Sequence, residues 1–338
     1  MKAFFITLIA FFTALSGLIT NPQAVNELKN KGTIEGFSQT VTADKELPFF
    51  TTDENGDFTV LQFSDTHFTT GISFGDLTVL NKMKSKVTEL KPDLVVVSGD
   101  MIDDGDNGLF NKANVLRSVA EMFDSLEQYW AYIPGNNDGM NYGTCSDIVS
   151  YLSQYEYCLV GDDEAISGAA QYSLDIYNGQ KLVHSLVFLD TMDYDSEDPD
   201  HIYGYVHEDQ VQWCKNEIES KKAESEDVFI SVFIHENTPA FFEAAERGEA
   251  YNKTYPTITK EDEKYNIPKN QPLDDVFAES GCVGLVSMGH KHPATVQCSY
   301  YNSTYYHITP KASVGSTLIT LHTAADNTRS MYDFSAVY

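Results

Sequence analysis

Short runs of apolar and β-branched residues recur along the chain, and each run stops abruptly at a cluster of polar residues. Runs of this length and composition, bounded by Gly, Pro, Asn or Asp, predict strands that are buried on both faces. The predicted strands cover residues 58–64, 92–98, 129–134, 185–190, 228–234, 283–288, 305–308 and 316–321. We expect the last two of these strands to complete a second sheet.

Between the runs, apolar residues spaced three or four apart predict helices. Leu80, Met83, Val87 and Leu90 share one helical face, and Pro92 follows where that helix should have ended. The other predicted helices lie around residues 115–126, 144–155, 206–223 and 273–279. A helix that joins two buried strands indicates a βαβ unit, whose crossover is expected to be right-handed.

The 338 residues contain no linker-like break, which favours a single domain over residues 58–338, preceded by an extended lead-in with one weak strand at residues 17–57. Residues 240–272 are polar and rich in tyrosine. We expect a loop there, which either covers the mouth of a site or is a surface insertion. Residues 1–16 combine Lys2, a short apolar run and a small-residue cleavage site, which is typical of a secretory signal peptide, and a signal anchor is the alternative.

Two glycosylation sequons, at Asn252 and Asn302, are consistent with a secretory route, which leads either out of the cell or to a lysosome-like vesicle. In an oxidising compartment the five cysteines permit up to two disulfides, and five reduced thiols are the alternative. The first candidate pairs are Cys145 with Cys158 and Cys282 with Cys298.

Acidic residues dominate the charge of the chain. Aspartate and glutamate number 50 against 22 lysines and arginines, which gives a net charge of −28. A surface field of this sign repels nucleic acids and anionic lipids, so neither is expected as a partner, and a phosphate ligand must be attracted locally. Beyond the N-terminus no apolar run reaches bilayer length, so we expect no stable membrane insertion after signal cleavage.

Five of the predicted strands end in residues that bind metal ions in proteins. In open α/β sheets, ligands bind at the carboxyl ends of the strands, so these side chains are expected to converge. Gly99 lets the chain turn without a Cβ, which allows Asp100 to meet several partners at close range. The candidates at the strand ends are Asp65, His67, Asp100, Asn136, His235, His290 and His292.

In chain order these strand ends read D-x-H, G-D-x-x-D, G-N-x-D, H and G-H-x-H, between about residues 58 and 292. This order resembles the calcineurin-like metallophosphoesterases, and residues 60–68 are most similar to a purple-acid-phosphatase-like branch. The resemblance implies an α/β (α+β) fold of two facing mixed sheets flanked by helices, a four-layer α/β/β/α sandwich with a dimetal site at the strand ends. It also implies a small phosphate-ester substrate.

The resemblance further implies that the candidates form two groups of three that share a bridging carboxylate. The first group is Asp65, His67 and His292, the second is Asn136, His235 and His290, and the bridge is Asp100. Mixed oxygen and nitrogen ligands suit two divalent or trivalent ions of iron, manganese or zinc rather than calcium. Asp103 and Asp138 are expected to orient histidines or loop backbone. The candidate catalytic set is Asn137, Asp100 and Asp138.

Two residues depart from the family pattern. Family members carry a histidine near the substrate that stabilises the transition state or protonates the leaving group, and this chain has Asn137, which supplies no proton. A slow enzyme, an activated leaving group, or a substitute acid such as His201 or His207 is therefore implied. Asp103 stands where purple acid phosphatases proper carry tyrosine, so the protein is not expected to be purple. The histidines expected to be packed or surface residues are His184, His201, His207, His307 and His322.

The sequence therefore predicts a secreted or vesicular metal-dependent phosphoric ester hydrolase, which cleaves a phosphate mono- or diester with a metal-activated water. One alternative is a descendant that has kept its metals and binds a phosphorylated ligand without turnover, which Asn137 motivates. Another is a metal-stabilised interaction protein. The complete set of seven ligand positions favours the enzyme.

Overall fold

A computed structural model of the protein describes residues 48–103, 108–139, 144–161, 165–192, 204–251, 267–323 and 330–338. The predicted signal peptide, the lead-in before residue 48, the sequon at Asn252 and His201 lie outside these ranges. Within them, the chain forms thirteen strands and six α-helices.

The first half of the described chain alternates strands with helices. Its elements are β1 (Phe50–Thr51), β2 (Asp57–Phe63), α1 (Phe74–Leu90), β3 (Leu94–Ser98), α2 (Gly108–Asp124), β4 (Trp130–Ile133), α3 (Cys145–Leu152), β5 (Tyr172–Asn178) and β6 (Lys181–Phe188). Helix α1 begins where Ser73 accepts a hydrogen bond from the Asp76 backbone N–H and ends at Lys91, next to Pro92. These strands and helices fall where the hydrophobic pattern predicts them, except β5, which it does not predict; β1 lies within the lead-in, where one weak strand is expected.

The second half continues with helices and then pairs strands in hairpins. Its elements are α4 (Glu208–Glu224), β7 (Phe229–Phe233), α5 (Pro239–Arg247), β8 (Glu249–Ala250), α6 (Gln271–Ser280), β9 (Val283–Met288), β10 (Gln297–Tyr301), β11 (Thr304–Ile308), β12 (Ser316–His322) and β13 (Tyr332–Val337). A short 3-10 helix at Ile267–Asn270 precedes α6. The expected loop at residues 240–272 is thus partly helical.

The strands form two mixed sheets. The larger has the order β1-β5-β6-β7-β9-β11-β10-β8 and the smaller the order β13-β12-β2-β3-β4. The expectation that residues 305–308 and 316–321 complete one sheet is wrong, because β11 pairs with β9 in the larger sheet and β12 with β2 in the smaller. The connection between them crosses from one sheet to the other, with the Ala312 N–H donating to the carbonyl of Ser64 at 2.9 Å.

Alternating side chains in the larger sheet separate two apolar cores. Leu186 and Phe188 pack in a core that continues through β2, β3 and β4 to helices α1 to α3. Val187 and Leu189 pack instead with α4, α5 and α6 on the outer face. Because strands buried on both faces need apolar residues throughout, the continuous runs in the sequence follow from this arrangement. The four-layer α/β/β/α fold implied by the resemblance is confirmed.

The five cysteines form no disulfides, which contradicts both predicted pairs. Cys282 packs in the outer core and Cys298 in the core between the sheets, so the larger sheet separates them. Cys145 begins the eight-residue helix α3, and Cys158 follows its end beside Trp130.

A chain of buried polar side chains joins the two sheets beneath the strand ends. Gln62 on β2 donates to Ser98 at 2.8 Å and accepts from Ser287 on β9 at 2.5 Å. The Ser287 hydroxyl lies 2.7 Å from His307, whose other ring nitrogen lies 3.1 Å from Thr317 on β12. Each group in this network has a partner, so it positions one sheet on the other without leaving an unpaired polar atom. Among the described helices, none combines the length and apolar character needed to span a membrane.

Candidate metal centre

The carboxyl ends of β2, β3 and β4 meet those of β7 and β9 at one edge of the sandwich. The loop after β2 is held on the loop after β3, because Asp65 and His67 donate backbone hydrogen bonds at 3.0 Å to the carbonyls of Gly99 and Asp100. The loop after β9 crosses between the sheets, since the His290 N–H donates to Oδ2 of Asp65 at 3.1 Å. All seven residues predicted as ligands lie at this edge.

One group of side chains gathers Asp65, His67, Asp100 and His292, with ligand atoms within 4.8 Å of one another. The Nε2 atoms of His67 and His292 are 2.9 Å apart. Nε2 of His292 lies 3.0 Å from Oδ1 of Asp65, and Nε2 of His67 lies 3.6 Å from Oδ2 of Asp100. The His292 side chain is 39% exposed, whereas that of Asp65 is fully buried, so this group opens to solvent on the His292 side.

A second group gathers Asp100, His235 and His290 within the same span. The side-chain oxygen of Asn136 completes it, at 3.2 Å from Nε2 of His235 and 3.0 Å from Nδ1 of His290. Nε2 of His235 also lies 3.4 Å from Oδ1 of Asp100. Asp100 therefore directs one carboxylate oxygen to each group, which is the arrangement expected of a bridging residue.

The backbone at this edge is unusual. Five of the seven candidates have positive φ angles, a conformation that Asp, Asn and His adopt more readily than other non-glycine residues: Asp65, His67, Asp100, His290 and His292. Such conformations persist only where the surrounding structure enforces them, and they concentrate at functional sites. The turns aim several polar side chains at one point from strands that run alongside one another.

Gly99 has φ of +88°, and a Cβ at this position would collide with the ring of His235 and the backbone of Gly135. The bare backbone lets His235 lie against the turn, where its Nδ1 is 2.8 Å from the carbonyl of Ser98. When Nδ1 carries the proton and donates it to that carbonyl, the lone pair of Nε2 faces Asp100 and Asn136. Gly99 therefore allows the close approach of His235, whereas the glycine whose Cβ would collide with Asp100 is Gly135.

Asn137 turns its amide towards the shared carboxylate. Its side-chain N–H donates to Oδ2 of Asp100 at 2.7 Å, and its backbone N–H donates to Oδ1 at 2.9 Å. Its side-chain oxygen accepts from the amide of Asn136 at 3.2 Å. The residue that replaces the family's histidine thus orients Asp100 and Asn136.

Asp138 is fully buried and fixes the shape of the loop. Its carboxylate accepts from the backbone N–H groups of Ile102 and Gly135 at 2.8 Å each, and from the Tyr132 hydroxyl at 2.9 Å. These three hydrogen bonds give Asp138 a positioning role. The Asp103 backbone N–H donates to the carbonyl of Phe68 at 3.0 Å, which helps to close the loop after β2.

Burial and close charges shift the pKa values of the site. Burial raises the pKa of Asp138 to about 6, and the nearby Asp100 carboxylate adds to this effect. Burial lowers the pKa of His290 to about 3, with a further contribution from His235. Burial also opposes protonation of His235, but the attraction of Asp100 outweighs it and holds the pKa of His235 well above its usual value.

The residues present fit a bound metal ion. Oδ1 of Asp65 is buried and accepts no hydrogen bond of acceptable geometry from the described residues, although His292 lies close to it. The facing atoms in both groups are carboxylate, amide and imidazole acceptors, which repel one another unless protons or cations lie between them. Oxygen and nitrogen donors of this kind match iron, manganese and zinc.

The sequence does not single out Glu236, which follows His235 and is buried at this edge. Its Oε2 atom lies 3.5 Å from Nε2 of His290. A glutamate after a strand is ordinarily exposed, so its position could be found only from the folded chain. The other histidines are placed elsewhere: His184 and His307 are buried between the sheets, His207 precedes α4, and His322 pairs with Asp57.

Comparisons with known proteins agree with this geometry. Two proteins from Arabidopsis thaliana are similar in sequence, "Probable inactive purple acid phosphatase 29", with 27% identity over 47% of this chain, and "Probable inactive purple acid phosphatase 28", with 24% identity over 71%. The aligned regions span 46% and 66% of those proteins' lengths. A dimetal phosphatase from Danio rerio shares the fold, with a TM-score of 0.56 at 12% identity, over 83% of this chain and 99% of the other.

The model of one protein family, described as calcineurin-like phosphoesterase, matches residues 58–294, which include all seven candidates. With the strand-end motifs, the two facing sheets and the paired side-chain groups, this match shows that the chain belongs to the calcineurin-like phosphoesterase family.

Proposed function

We propose that the protein is a phosphoesterase that hydrolyses a small phosphate mono- or diester with the help of two metal ions. The observation that carries this proposal is the pair of acceptor groups that share Asp100. Asp65, His67 and His292 would hold one ion, and Asn136, His235 and His290 the other. When bound, two metal ions neutralise phosphate charge and lower the pKa of a water nucleophile.

The residues of the chain set the geometry for this chemistry. Asn137 holds Asp100 through two hydrogen bonds, so the shared carboxylate keeps one oxygen towards each group. Asp138 fixes the loop that carries Asn136 and Asn137. The exposed edge of His292 marks the side on which a phosphate ester would enter. Because an amide releases no proton at neutral pH, leaving groups that are stable as anions are favoured.

A second candidate is a metal-binding protein that binds phosphorylated ligands without turnover. Two observations favour it: Asn137 replaces the family's histidine, and the two plant relatives are named as inactive. The two candidates share the metal centre and differ only in turnover.

One experiment tests both candidates. Purified protein is loaded with manganese, zinc or iron, dialysed, and assayed for metal content and for hydrolysis of 4-nitrophenyl phosphate and bis(4-nitrophenyl) phosphate. We expect two ions per chain and hydrolysis of at least one ester. Asp100→Ala should lose both ions, because it removes the shared ligand, whereas His67→Ala should weaken one ion more than the other. Two ions without hydrolysis would favour the binding protein, and a wild-type protein without metal would contradict both.

A further inference from the structure

Glu236 is a buried carboxylate beside the candidate metal centre, and the chemistry proposed above makes no use of it. The residue is 3% exposed, and its backbone N–H donates to the hydroxyl of Thr191 at 3.0 Å. Its Oε1 atom is buried and has no hydrogen-bond partner among the described residues. Its Oε2 atom lies 3.5 Å from Nε2 of His290.

A buried carboxylate of this kind opposes folding of the metal-free chain. Removing a carboxylate from water without full hydrogen bonding is unfavourable. A residue that serves only to stabilise the fold would not be expected in this position.

The two ring nitrogens of His290 face different partners. Nδ1 lies 3.0 Å from the side-chain oxygen of Asn136, within the second group of acceptors. Nε2 lies on the side of Glu236. A neutral imidazole carries one proton, so His290 can either donate from Nδ1 to Asn136 or keep that lone pair open and place the proton on Nε2.

We propose that Glu236 selects the second of these tautomers, holding the proton of His290 on Nε2 so that Nδ1 is open to a metal ion shared with Asn136 and His235. This role rests on the proposed metal centre. Metal-binding histidines commonly donate their other ring N–H to a carboxylate, which fixes the tautomer and the orientation of the ring. Glu236 is thus a positioning residue that acts through His290.

The test compares Glu236→Ala and Glu236→Gln with Glu243→Gln, a control that removes an exposed glutamate on α5. Manganese and zinc binding are measured by calorimetric titration, and thermal unfolding of the metal-free proteins is followed in parallel. We expect Glu236→Ala to weaken one of the two ions by about 10-fold to 100-fold and to leave the other unchanged. Glu236→Gln should recover most of the affinity, because its side-chain oxygen still accepts a hydrogen bond from the Nε2–H group.

Two further readouts separate positioning from a structural role. The metal-free variants should unfold at the wild-type temperature or above it, because the substitutions remove a buried carboxylate. In ¹⁵N NMR spectra of the metal-free proteins, the fraction of His290 protonated on Nε2 should fall in Glu236→Ala and recover in Glu236→Gln.

The contrary outcomes are distinct. Loss of both ions together with a lower unfolding temperature would show a structural residue, and unchanged binding and tautomer in Glu236→Ala would show that the carboxylate has no part in positioning. A wild-type protein that binds no metal would overturn the proposed function and this role together. The test does not depend on enzymatic activity. It can therefore be carried out even if the protein binds metal ions without hydrolysing an ester.

Discussion

The side-chain amide of Asn137 donates a hydrogen bond to Asp100, so Asn137 acts on the chemistry by orienting the shared carboxylate. The side-chain and backbone N–H groups of Asn137 meet different oxygens of Asp100, at 2.7 and 2.9 Å. A histidine at position 137 would keep the backbone hydrogen bond and add a group that can release a proton. The substitution therefore separates two functions, orientation of Asp100 and proton donation.

Asn137→His should speed hydrolysis of alkyl phosphates more than that of nitrophenyl phosphates, because a poor leaving group gains most from protonation. The gain in kcat/KM for alkyl esters should approach the lower end of the range for general acid catalysis, about 10²-fold. Asn137→Ala is the matched control, since it also loses the side-chain bond to Asp100 but adds no acid. Equal effects of Asn137→His on both ester classes would show that position 137 acts only by orienting the carboxylate.

The convergence of the seven candidate ligands could be predicted because each follows an apolar run that is typical of a strand. The carboxyl ends of neighbouring parallel strands lie at the same edge of a sheet, so side chains that follow these strands are expected to converge. Glu236 gave no comparable signal. Its burial depends on contacts with Thr191 and His290, which are 45 and 54 positions away in sequence.

At the scale of elements, helix α5 shows why part of the chain was predicted as a loop. The helix is only nine residues long, and Phe241 and Ala244 are its buried residues. Its first turn is fixed from a distance, since the Ala240 N–H donates to the Asp274 carboxylate on α6 at 2.7 Å. The sheet assignment of β11 and β12 failed for a related reason, because strand pairing is decided by contacts that are remote in sequence.

His322 joins three strands at the edge opposite the candidate metal centre. Its Nδ1 lies 2.7 Å from Asp57 at the start of β2, and its Nε2 lies 3.3 Å from Asp333 on β13. Burial acts to lower the pKa of His322, but the hydrogen bonds to the two carboxylates outweigh it and raise the pKa above its usual value. A raised pKa stabilises the fold below the unfolded value near 6.5, and this contribution is lost as the pH rises through the folded value.

His322→Gln should therefore lower stability more at pH 5.5 than at pH 8.5. The difference should be below about 1 kcal/mol, because both carboxylates are partly exposed. Urea unfolding of wild type and variant at the two pH values measures it, and the other titrating groups cancel because both proteins contain them. The same substitution in an Asp57→Asn background should show a smaller pH dependence. An equal loss of stability at both pH values would contradict the charged interaction.

For the whole molecule, the candidate centre lies where the two sheets meet, and each group draws side chains from both. Asp65, His67, Asp100 and Asn136 follow strands of the smaller sheet, and His235, His290 and His292 follow strands of the larger. A cation in either group would therefore link the sheets. The net charge of −28 means that the protein surface as a whole repels a phosphate ester. Cations bound in the two groups would supply the local positive charge that attracts one.

Metal removal should lower the unfolding temperature for the same reason. Without cations, the buried carboxylates and histidines face one another as acceptors, and a ligand that binds only the folded state stabilises it by about 2.7 kcal/mol at one hundred times its Kd. For a chain of this size that free energy corresponds to about 4 °C. Calorimetric unfolding of chelator-treated protein, titrated with manganese or zinc, should show a midpoint that rises with metal concentration. Asp100→Ala is the control, because without the shared ligand its midpoint should be nearly independent of metal. An equal rise in wild type and Asp100→Ala would place the stabilising ions elsewhere on the acidic surface and contradict a centre that joins the two sheets.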